Sequence, residues 1–279
     1  MQLGIIGGGR AAWAFGSGWR AKGRPLAGVA LRDGSTSELP KRLGAPRRTV
    51  EELVADSDVV LAAVADPALE EVATRLGSVA PARTLLFHAS GALTSALFGG
   101  RDGAFSLHPL RSLPPAGTSV DLEGTLFVWE GAAATRDTAE EIARTLEGRF
   151  AAIPAGSKVL YHAAAVLASN DVAALAEIAR EIMERAGLER QHLRGAIAEL
   201  ARSAIANWEQ SPERFTGPVA RGDAATVERH LRALAADDPE RAELYRRLAL
   251  EVARALAPGA RDEPELSEII SLLRSRTLP

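Results

Sequence analysis

The fold is decided by Leu3-Gly4-Ile5-Ile6-Gly7-Gly8-Gly9-Arg10-Ala11-Ala12, an apolar run that leads into three glycines and a helical pattern. Gly7, Gly9 and Ala12 occupy the small positions of G-x-G-x-x-A, which permit a tight turn, close approach of a pyrophosphate and close helix–strand packing. The first N–H groups of the following helix would face the phosphates. The stretch predicts a dinucleotide site with contacts from Gly7, Gly8, Gly9, Arg10, Ala11 and Ala12. A glycine-rich turn without a ligand is the alternative.

Short apolar runs alternate with helical patterns through the first half of the chain, which is typical of a parallel sheet covered on both faces. The predicted strands are 3–6, 26–31, 59–64, 84–88, 104–107 and 126–129. The predicted helices between them are 11–21, 49–55, 68–76 and 139–146. We therefore expect an α/β Rossmann-like dinucleotide-binding domain over residues 1–153.

The second half is helical in pattern and predicts an all-α domain over residues 154–279. Residues 158–186 contain neither Gly nor Pro, so they predict one helix of roughly 40 Å. Further helical patterns cover 189–207, 224–236, 239–256 and 264–275. Asp223 and Asp238 stand at the N-cap positions of two of these helices.

Composition excludes several classes of protein. With 47% apolar and 25% charged residues over 279 positions, the chain has the mix of an ordinary globular protein. It contains no cysteine, so disulfides, thiol nucleophiles and thiolate metal sites are excluded. A net charge of −3 without a basic block argues against nucleic acid as a partner. The N-terminal residues lack the pattern of a signal peptide, and we expect a cytoplasmic protein.

The apolar stretch 159–176 carries His162, Asn170 and Asp171 near its middle. These polar residues favour a buried helix of a globular protein over a membrane span, where they would be costly.

The residue after the second strand helps to choose the cofactor. Arg32 stands where NAD enzymes usually place an acid for the ribose, and its guanidinium suits the 2′-phosphate of NADP. We expect NADPH, although Asp33 follows directly and Arg32 could be an ordinary surface charge. The strand that ends in Val64-Ala65-Asp66 adds three cofactor contacts, with Asp66 either on the cofactor's sugar or at the cap of the next helix.

Histidines follow two later strands, in His88-Ala89-Ser90-Gly91 and Leu107-His108-Pro109-Leu110. Because the carboxyl ends of parallel strands share the edge where a cofactor lies, His88, Ser90 and His108 are candidates for substrate binding. Histidines that bond only to local backbone are the alternative. A metal site with His162 is less favoured, since no carboxylate falls at ligand spacing beside them, and no metal is expected.

The helix that opens at Lys158 carries the predicted catalytic group. Lys158, one of three lysines in the chain, shares a helix face with His162 four residues on, and Asn170 falls near the same stripe. A stripe of polar side chains on an otherwise apolar helix costs free energy when it is buried, unless its polar groups have hydrogen-bond partners. Lys158 could donate a proton to a carbonyl oxygen. In the alternative interpretation, Lys158 is exposed in the first turn of the helix, and His162 and Asn170 form structural hydrogen bonds within the core.

The last motif is Thr216-Gly217-Pro218-Val219-Ala220-Arg221-Gly222-Asp223. Arg221 could bind a substrate carboxylate or brace a second subunit, although a solvent-exposed turn fits equally. Together with the motifs above, this segment resembles the Rossmann-like proteins with a C-terminal DUF2520 domain. The motifs recur in the same order, and 216–223 is the most specific of them.

That family is similar in architecture to ketopantoate reductases, β-hydroxyacid dehydrogenases, pyrroline-5-carboxylate reductases, F420-dependent NADP oxidoreductases and 6-phosphogluconate dehydrogenases. The resemblance implies an NADP-binding domain and a helical domain that dimerises. It also implies that a lysine early in the interdomain helix acts as general acid–base, with an asparagine four residues on. Lys158 matches the lysine, whereas His162 replaces the asparagine.

The sequence therefore predicts an NADPH-dependent reductase of a small carbonyl compound, such as a keto acid of the ketopantoate type. Lys158 would be the general acid, assisted by His162. His88, Ser90, His108, Asn170 and Arg221 are the residues expected to bind the substrate. Two alternatives remain: an oxidation like that of prephenate dehydrogenase, and a catalytically silent NADP-binding module.

Overall fold

The structure, a computed structural model, describes residues 1–210, 215–256 and 264–275. The chain divides into two compact units, Met1–Ala173 and Ala174–Pro279, which we describe separately. The sequence places a domain boundary at residue 153, whereas the units divide after Ala173. The difference arises because the first residues of the helical half pack on the sheet of the first unit, as described below.

The first unit is built on a seven-stranded sheet in the order β2-β1-β3-β4-β5-β6-β7. Neighbouring strands are parallel except β5 and β6, which are antiparallel. The strands are β1 Leu3–Ile6, β2 Leu26–Ala30, β3 Val59–Ala62, β4 Leu85–His88, β5 Ala104–Pro109, β6 Leu126–Gly131 and β7 Arg149–Ala152. The six predicted strands are confirmed. The sequence missed β7, a half-exposed edge strand without a continuous apolar run.

Helices cover both faces of this sheet. They are α1 Arg10–Ala21, α2 Leu39–Leu43, α3 Val50–Ala55, α4 Asp66–Val79, α5 Arg136–Thr145 and α6 Lys158–Leu167. On one face, Phe15 of α1 packs edge-on against Phe87, which stacks on Phe105 at a centroid distance of 5.0 Å. A second apolar cluster on the other face joins α3 and α4 to alternate residues of the same strands. Both faces are buried, as the continuous apolar strands predict.

The predicted single helix over 158–186 is two helices, α6 and α7 (Asn170–Arg185). Between them, Ser169 donates its hydroxyl to the carbonyl of Ala165 at 2.6 Å. Its backbone N–H donates to Val166, three residues back. A serine that bonds to the preceding turn competes with regular helical hydrogen bonding and bends the helix. The prediction of one continuous helix was therefore wrong.

The expectation that this stretch is buried was also wrong within the single chain. Val159 is 75% exposed, Leu160 77% and Leu167 66%, although Lys158 on the opposite side of α6 is buried.

One helical stretch among the described residues, Ala155–Arg185, is long and apolar enough to cross a membrane by length and composition alone. The same stretch carries Lys158 and His162, whose side chains face the sheet.

The second unit is helical throughout its described part. Beyond the end of α7 it contains α8 Arg190–Gln210, α9 Ala224–Asp237, α10 Pro239–Leu256 and α11 Pro264–Arg274. Its core packs Val227 and Leu231 of α9 against Ala253 and Ile269. Both predicted N-caps are confirmed: Asp223 accepts the N–H of Thr226 at 3.0 Å, and Asp238 accepts that of Glu240 at 3.0 Å. The chain thus has a Rossmann-like N-terminal region followed by a mostly helical C-terminal region.

Candidate active site

The glycine turn after β1 has the geometry that a pyrophosphate needs. Gly7 has a positive φ of 109°, and a Cβ there would lie 2.3 Å from the carbonyl oxygen of Ala63, so only glycine fits. A Cβ on Gly9 would meet no atom within 4 Å. Gly9 is the N-cap of α1 and supplies no side-chain cap, so the first N–H groups of α1 are free for an anion. Ala12 is fully buried against the sheet.

The predicted 2′-phosphate contact, Arg32, is exposed after β2 and lines a surface depression together with Arg47 and Arg48. A short segment places these arginines beside β2, because Val29 pairs with Arg47 and the N–H of Arg48 donates to the carbonyl of Val29 at 3.0 Å. The lining also includes Asp33, Glu51, Glu52 and Arg75, so four guanidinium groups stand beside three carboxylates. The remaining excess of guanidinium groups suits a phosphate better than a bare ribose. The residues present therefore fit NADP, with residues 7–12 on the pyrophosphate and Arg32 near the 2′ position.

A row of polar side chains crosses the otherwise apolar sheet near its carboxyl edge. His88 of β4 pairs with Ser106 of β5, which pairs with Glu130 of β6, and all three are buried. Paired residues point to the same face of a sheet, so the row is continuous. Glu130 accepts two hydrogen bonds of 2.8 Å, from the backbone N–H and the hydroxyl of Ser95.

The ammonium group of Lys158 binds to this row of polar side chains. Its Nζ donates to Ser106 Oγ at 2.6 Å and to the carbonyl oxygen of Ser90 at 2.7 Å, and its side chain is 1% exposed. Burial lowers the pKa of Lys158 to about 8, opposed by the negative charges of Glu130 and Asp66. The sequence left open the alternative that Lys158 is an exposed lysine of the first turn. The burial of its side chain excludes that alternative.

His88 and Ser90 are occupied by local hydrogen bonds. The N–H of Ser90 donates to His88 Nδ1 at 3.2 Å, and His88 Nε2 lies 3.1 Å from the carbonyl oxygen of Thr94. With Nδ1 as the acceptor, Nε2 carries the proton. Ser90 donates its hydroxyl to Asp66 at 3.0 Å and accepts the N–H groups of Ala92 and Leu93. For His88 these bonds match the alternative of a histidine bonded to local backbone, and the contact of His88 or Ser90 with a substrate stays a prediction.

Of its two predicted roles, Asp66 does not fill the one at the helix cap, because α4 has no side-chain cap hydrogen bond. It is the first residue of α4, where its charge suits the helix dipole, and within the described ranges its side chain accepts a hydrogen bond from the hydroxyl of Ser90. Ala65 is the N-cap of α4, without a side-chain hydrogen bond. Val64 packs against the apolar cluster of the α3–α4 face. The contact of these residues with a cofactor stays a prediction.

Two histidines converge on Gly91. His108 Nδ1 lies 2.6 Å from Tyr161 Oη, with the rings edge-on. A Cβ on Gly91 would lie 2.5 Å from His162 Nδ1 and 3.1 Å from His108 Nε2. His162 Nδ1 is buried without a hydrogen-bond partner in the described structure, which leaves it free for a ligand. Burial, followed by the charges of Lys158 and His162, lowers the pKa of His108 to about 4.

These side chains open into a cleft of about 720 Å³ in the first unit. Its polar lining includes His108, Tyr161, His162 and Asn170, so the structure brings together three of the predicted site residues. The lining continues with apolar and small residues of α6, and with Leu110, Arg111 and Ser112 from the loop after β5. Within the described ranges, no group of His and acidic residues has the arrangement of a metal site.

Arg221 lies in the second unit, where it is exposed and its N–H donates to the carbonyl of Gly217 at 3.2 Å. Nothing in the geometry of that unit assigns it a ligand, so its role stays a prediction.

Sequence reasoning missed Ser106, Glu130, Arg111 and the role of Tyr161. Ser106 and Glu130 each interrupt a continuous apolar strand, and that interruption was the available signal. Their joint role depends on the antiparallel register of β5 and β6, which the separate strand patterns do not contain.

Comparisons with known proteins agree with this architecture. Residues 2–87 match the family described as NADP oxidoreductase, coenzyme F420-dependent, and residues 125–252 match a domain of unknown function, DUF2520. No curated protein shows significant similarity to the chain in sequence.

Several solved structures share the fold. Protein TM1727 from Thermotoga maritima is 25% identical with a TM-score of 0.73, and the match covers 93% of this chain and 99% of that one. A reductive aminase from Aspergillus terreus in complex with NADPH and ethyl levulinate is 18% identical with a TM-score of 0.64, covering 96% and 98%. An imine reductase from Streptomyces aurantiacus is 15% identical with a TM-score of 0.61, covering 99% and 100%.

The family matches and the geometry of the glycine turn indicate an NADP-dependent oxidoreductase as the class of protein. The chain carries an N-terminal NADP-binding domain, which matches the family of F420-dependent NADP oxidoreductases, followed by a C-terminal DUF2520 domain.

Proposed function

We propose that the chain is an NADPH-dependent reductase of a small oxo acid, of the ketopantoate type, with Lys158 as the proton donor. The observation that carries the proposal is the position of Lys158 Nζ, buried at the carboxyl edge of the sheet on Ser90 and Ser106. The glycine turn follows β1 at the same edge, because β1, β3, β4 and β5 are parallel. Cofactor and proton donor would thus meet at one edge.

When bound, NADPH supplies a hydride to the carbonyl carbon. The electron pair of the carbonyl double bond moves to oxygen, and the oxygen takes a proton from Lys158. A substrate oxygen reaches Nζ by replacing the hydroxyl of Ser106 as a hydrogen-bond partner. With its pKa lowered to about 8, Lys158 is mainly an ammonium at pH 7 and is more acidic than an ordinary lysine, which suits a general acid. Solvent returns the proton afterwards.

His162 is the second group of the proposed site. Its Nδ1 is buried without a partner among the described residues and faces Gly91. A buried polar atom without a partner is costly, and a hydrogen bond to bound substrate would remove that cost. His162 would hold the reacting oxygen beside Lys158, which is the position that an asparagine takes in the proteins this sequence resembles.

The test is Lys158→Ala, assayed with NADPH and a panel of oxo acids. Loss of the acid should lower kcat by about 100-fold or more, while the Kd for NADPH stays within about twofold. Lys41→Ala, in an exposed lysine, is the matched control and should change neither quantity. Unchanged turnover in Lys158→Ala would remove this residue from the mechanism.

We further propose that the chain forms a homodimer through its helical domain. The helix α6 lies within the predicted helical domain, residues 154–279, and its exposed Val159, Leu160 and Leu167 form more apolar surface than a single helix usually leaves in water. Sedimentation should show a dimer at micromolar concentration, and Leu160→Asp should shift it toward monomer. A wild-type protein that sediments as a monomer would reject the proposal.

A further inference from the structure

The cleft lined by His108, Tyr161 and His162 has one charged residue on its wall, Arg111. None of the described residues that line the cleft is acidic. The buried ammonium of Lys158 lies close enough to His108 to lower its pKa. The charge on the cleft wall itself is therefore positive, which favours a negatively charged ligand, while the negative charges of Glu130 and Asp66 lie on the side of Lys158.

We propose that Arg111 binds the carboxylate of the substrate and thereby selects oxo acids over neutral ketones and aldehydes. This inference rests on the proposed reductase activity and adds the group that recognises the acid. Arginine suits the role because its planar guanidinium can donate two parallel hydrogen bonds to a carboxylate.

The guanidinium of Arg111 is available for such a ligand. Its one side-chain hydrogen bond in the described structure is a long one, 3.4 Å from Nη1 to Thr125 Oγ1. Across the described ranges, no carboxylate lies within 4.0 Å of it, whereas Arg180, Arg241 and Arg246 all have acidic partners at that distance. Arg111 is exposed at the cleft, and it is the second residue after β5, three residues after His108.

The backbone around Arg111 is held in place. Its N–H donates to the carbonyl of Pro109 at 2.7 Å, and the N–H of Leu110 donates to Leu126 of β6 at 2.8 Å. The side chain therefore projects from a fixed turn at the end of the sheet, as an anchoring group requires.

The apolar part of the cleft lining indicates the rest of the substrate. The residues Ala164, Ala165 and Val166 of α6 line the cleft, and Ala168 follows directly after this helix. Short apolar side chains leave room for a branched aliphatic group and offer it no hydrogen bond. The structure thus assigns a branched aliphatic oxo acid, with its carboxylate on Arg111 and its alkyl part along α6.

The test compares acids with their neutral methyl esters in the wild type and in Arg111→Gln. The probes are 2-oxoisovalerate and ketopantoate, assayed with saturating NADPH. Arg111→Gln should raise KM for the acids by about 10- to 100-fold, the value of a charge-assisted hydrogen bond pair. KM for the esters should stay within about twofold. Arg111→Lys should recover part of the loss, and Arg144→Gln, an exposed arginine on α5, should behave like the wild type.

A binding measurement separates this inference from the proposed function. Calorimetry with NADP⁺ and 2-hydroxyisovalerate, which needs no turnover, should give binding in the wild type and at least tenfold weaker binding in Arg111→Gln. If the enzyme reduces acids and esters equally and Arg111→Gln changes neither, the role of Arg111 is rejected while the reductase stands. If no oxo compound is reduced, the proposed function fails, and the hydroxy acid titration alone decides whether Arg111 binds a carboxylate. If the wild type and Arg111→Gln bind the hydroxy acid equally, or if neither binds it, the proposed role of Arg111 is overturned.

Discussion

Tyr161 Oη lies 2.6 Å from His108 Nδ1, so a residue of α6 is tied to the end of β5 inside the cleft. A second pair of the same type occurs in the helical unit, where His230 Nδ1 lies 3.0 Å from Tyr245 Oη. The two pairs differ in their surroundings, because only the first lines the cleft. That difference makes them a matched test and control.

Tyr161→Phe removes the hydrogen bond to His108 and leaves the ring. We expect kcat/KM for oxo acids to fall about 5- to 10-fold, since a typical hydrogen bond contributes about 1 kcal/mol. Nitrogen NMR should show a change in the tautomer balance of His108. Tyr245→Phe removes the corresponding bond to His230 and should leave kinetics unchanged. Equal effects of the two substitutions would mean that Tyr161 acts only through stability.

Acid should destabilise the first unit through His88. Burial lowers the pKa of His88 to about 4, against about 6.5 in an unfolded chain. Between these two pH values the unfolded chain therefore binds more protons than the folded chain. The contribution of neutral His88 to the free energy of unfolding is complete above about pH 6.5 and is lost as the pH falls toward 4. For His88 the loss is on the order of 3 kcal/mol at most.

Urea unfolding measured between pH 4 and 7 checks this dependence. His88→Gln should reduce the slope of stability against pH in this window, whereas the same change at exposed His192 controls for the loss of a histidine. An unchanged slope in His88→Gln would show that other groups cause the acid sensitivity.

Gly9→Ala separates cofactor binding from folding. A Cβ at this position meets no atom within 4 Å, and φ is an ordinary −87°, so thermal stability should change little. The added methyl group would stand where the pyrophosphate approaches the backbone, and we expect the Kd for NADPH to rise at least tenfold. Gly195→Ala, in α8 with equally open space, should leave NADPH binding intact. NADPH binding by Gly9→Ala that matches the wild type would place the phosphates elsewhere.

The pH profile of kcat should follow the ammonium of Lys158. Because its pKa is lowered to about 8, the acid form is lost as the pH rises through 8, and reduction should slow above that value. Lys158→Arg keeps its charge at every accessible pH, so its low residual rate should lack this decline. A wild-type rate that stays constant up to pH 10 would exclude Lys158 as the proton donor.

Much of the fold follows from local pattern. Continuous apolar runs identified six strands, and Asp223 and Asp238 marked helix starts because capping is a local property. The edge strand β7 and the bend at Ser169 were missed, since neither depends on apolar periodicity. For the candidate site, His108, His162 and Asn170 were found from their positions after strands or on one helix face. Glu130 could be identified only from the pairing of β5 with β6, and Arg111 only from the shape of the cleft. Both are long-range features, which the local sequence pattern does not contain.

The most direct measurement is a calorimetric titration of the protein with NADPH and with NADH, repeated in Arg32→Ala. We expect NADPH to bind at least tenfold more tightly than NADH, and we expect Arg32→Ala to remove most of this preference without weakening the binding of NADH. Arg20→Ala, in an exposed arginine of α1, should retain the preference. Binding of neither nucleotide by the wild type would show that the glycine turn holds no cofactor, and the protein would then not be an NADPH-dependent reductase.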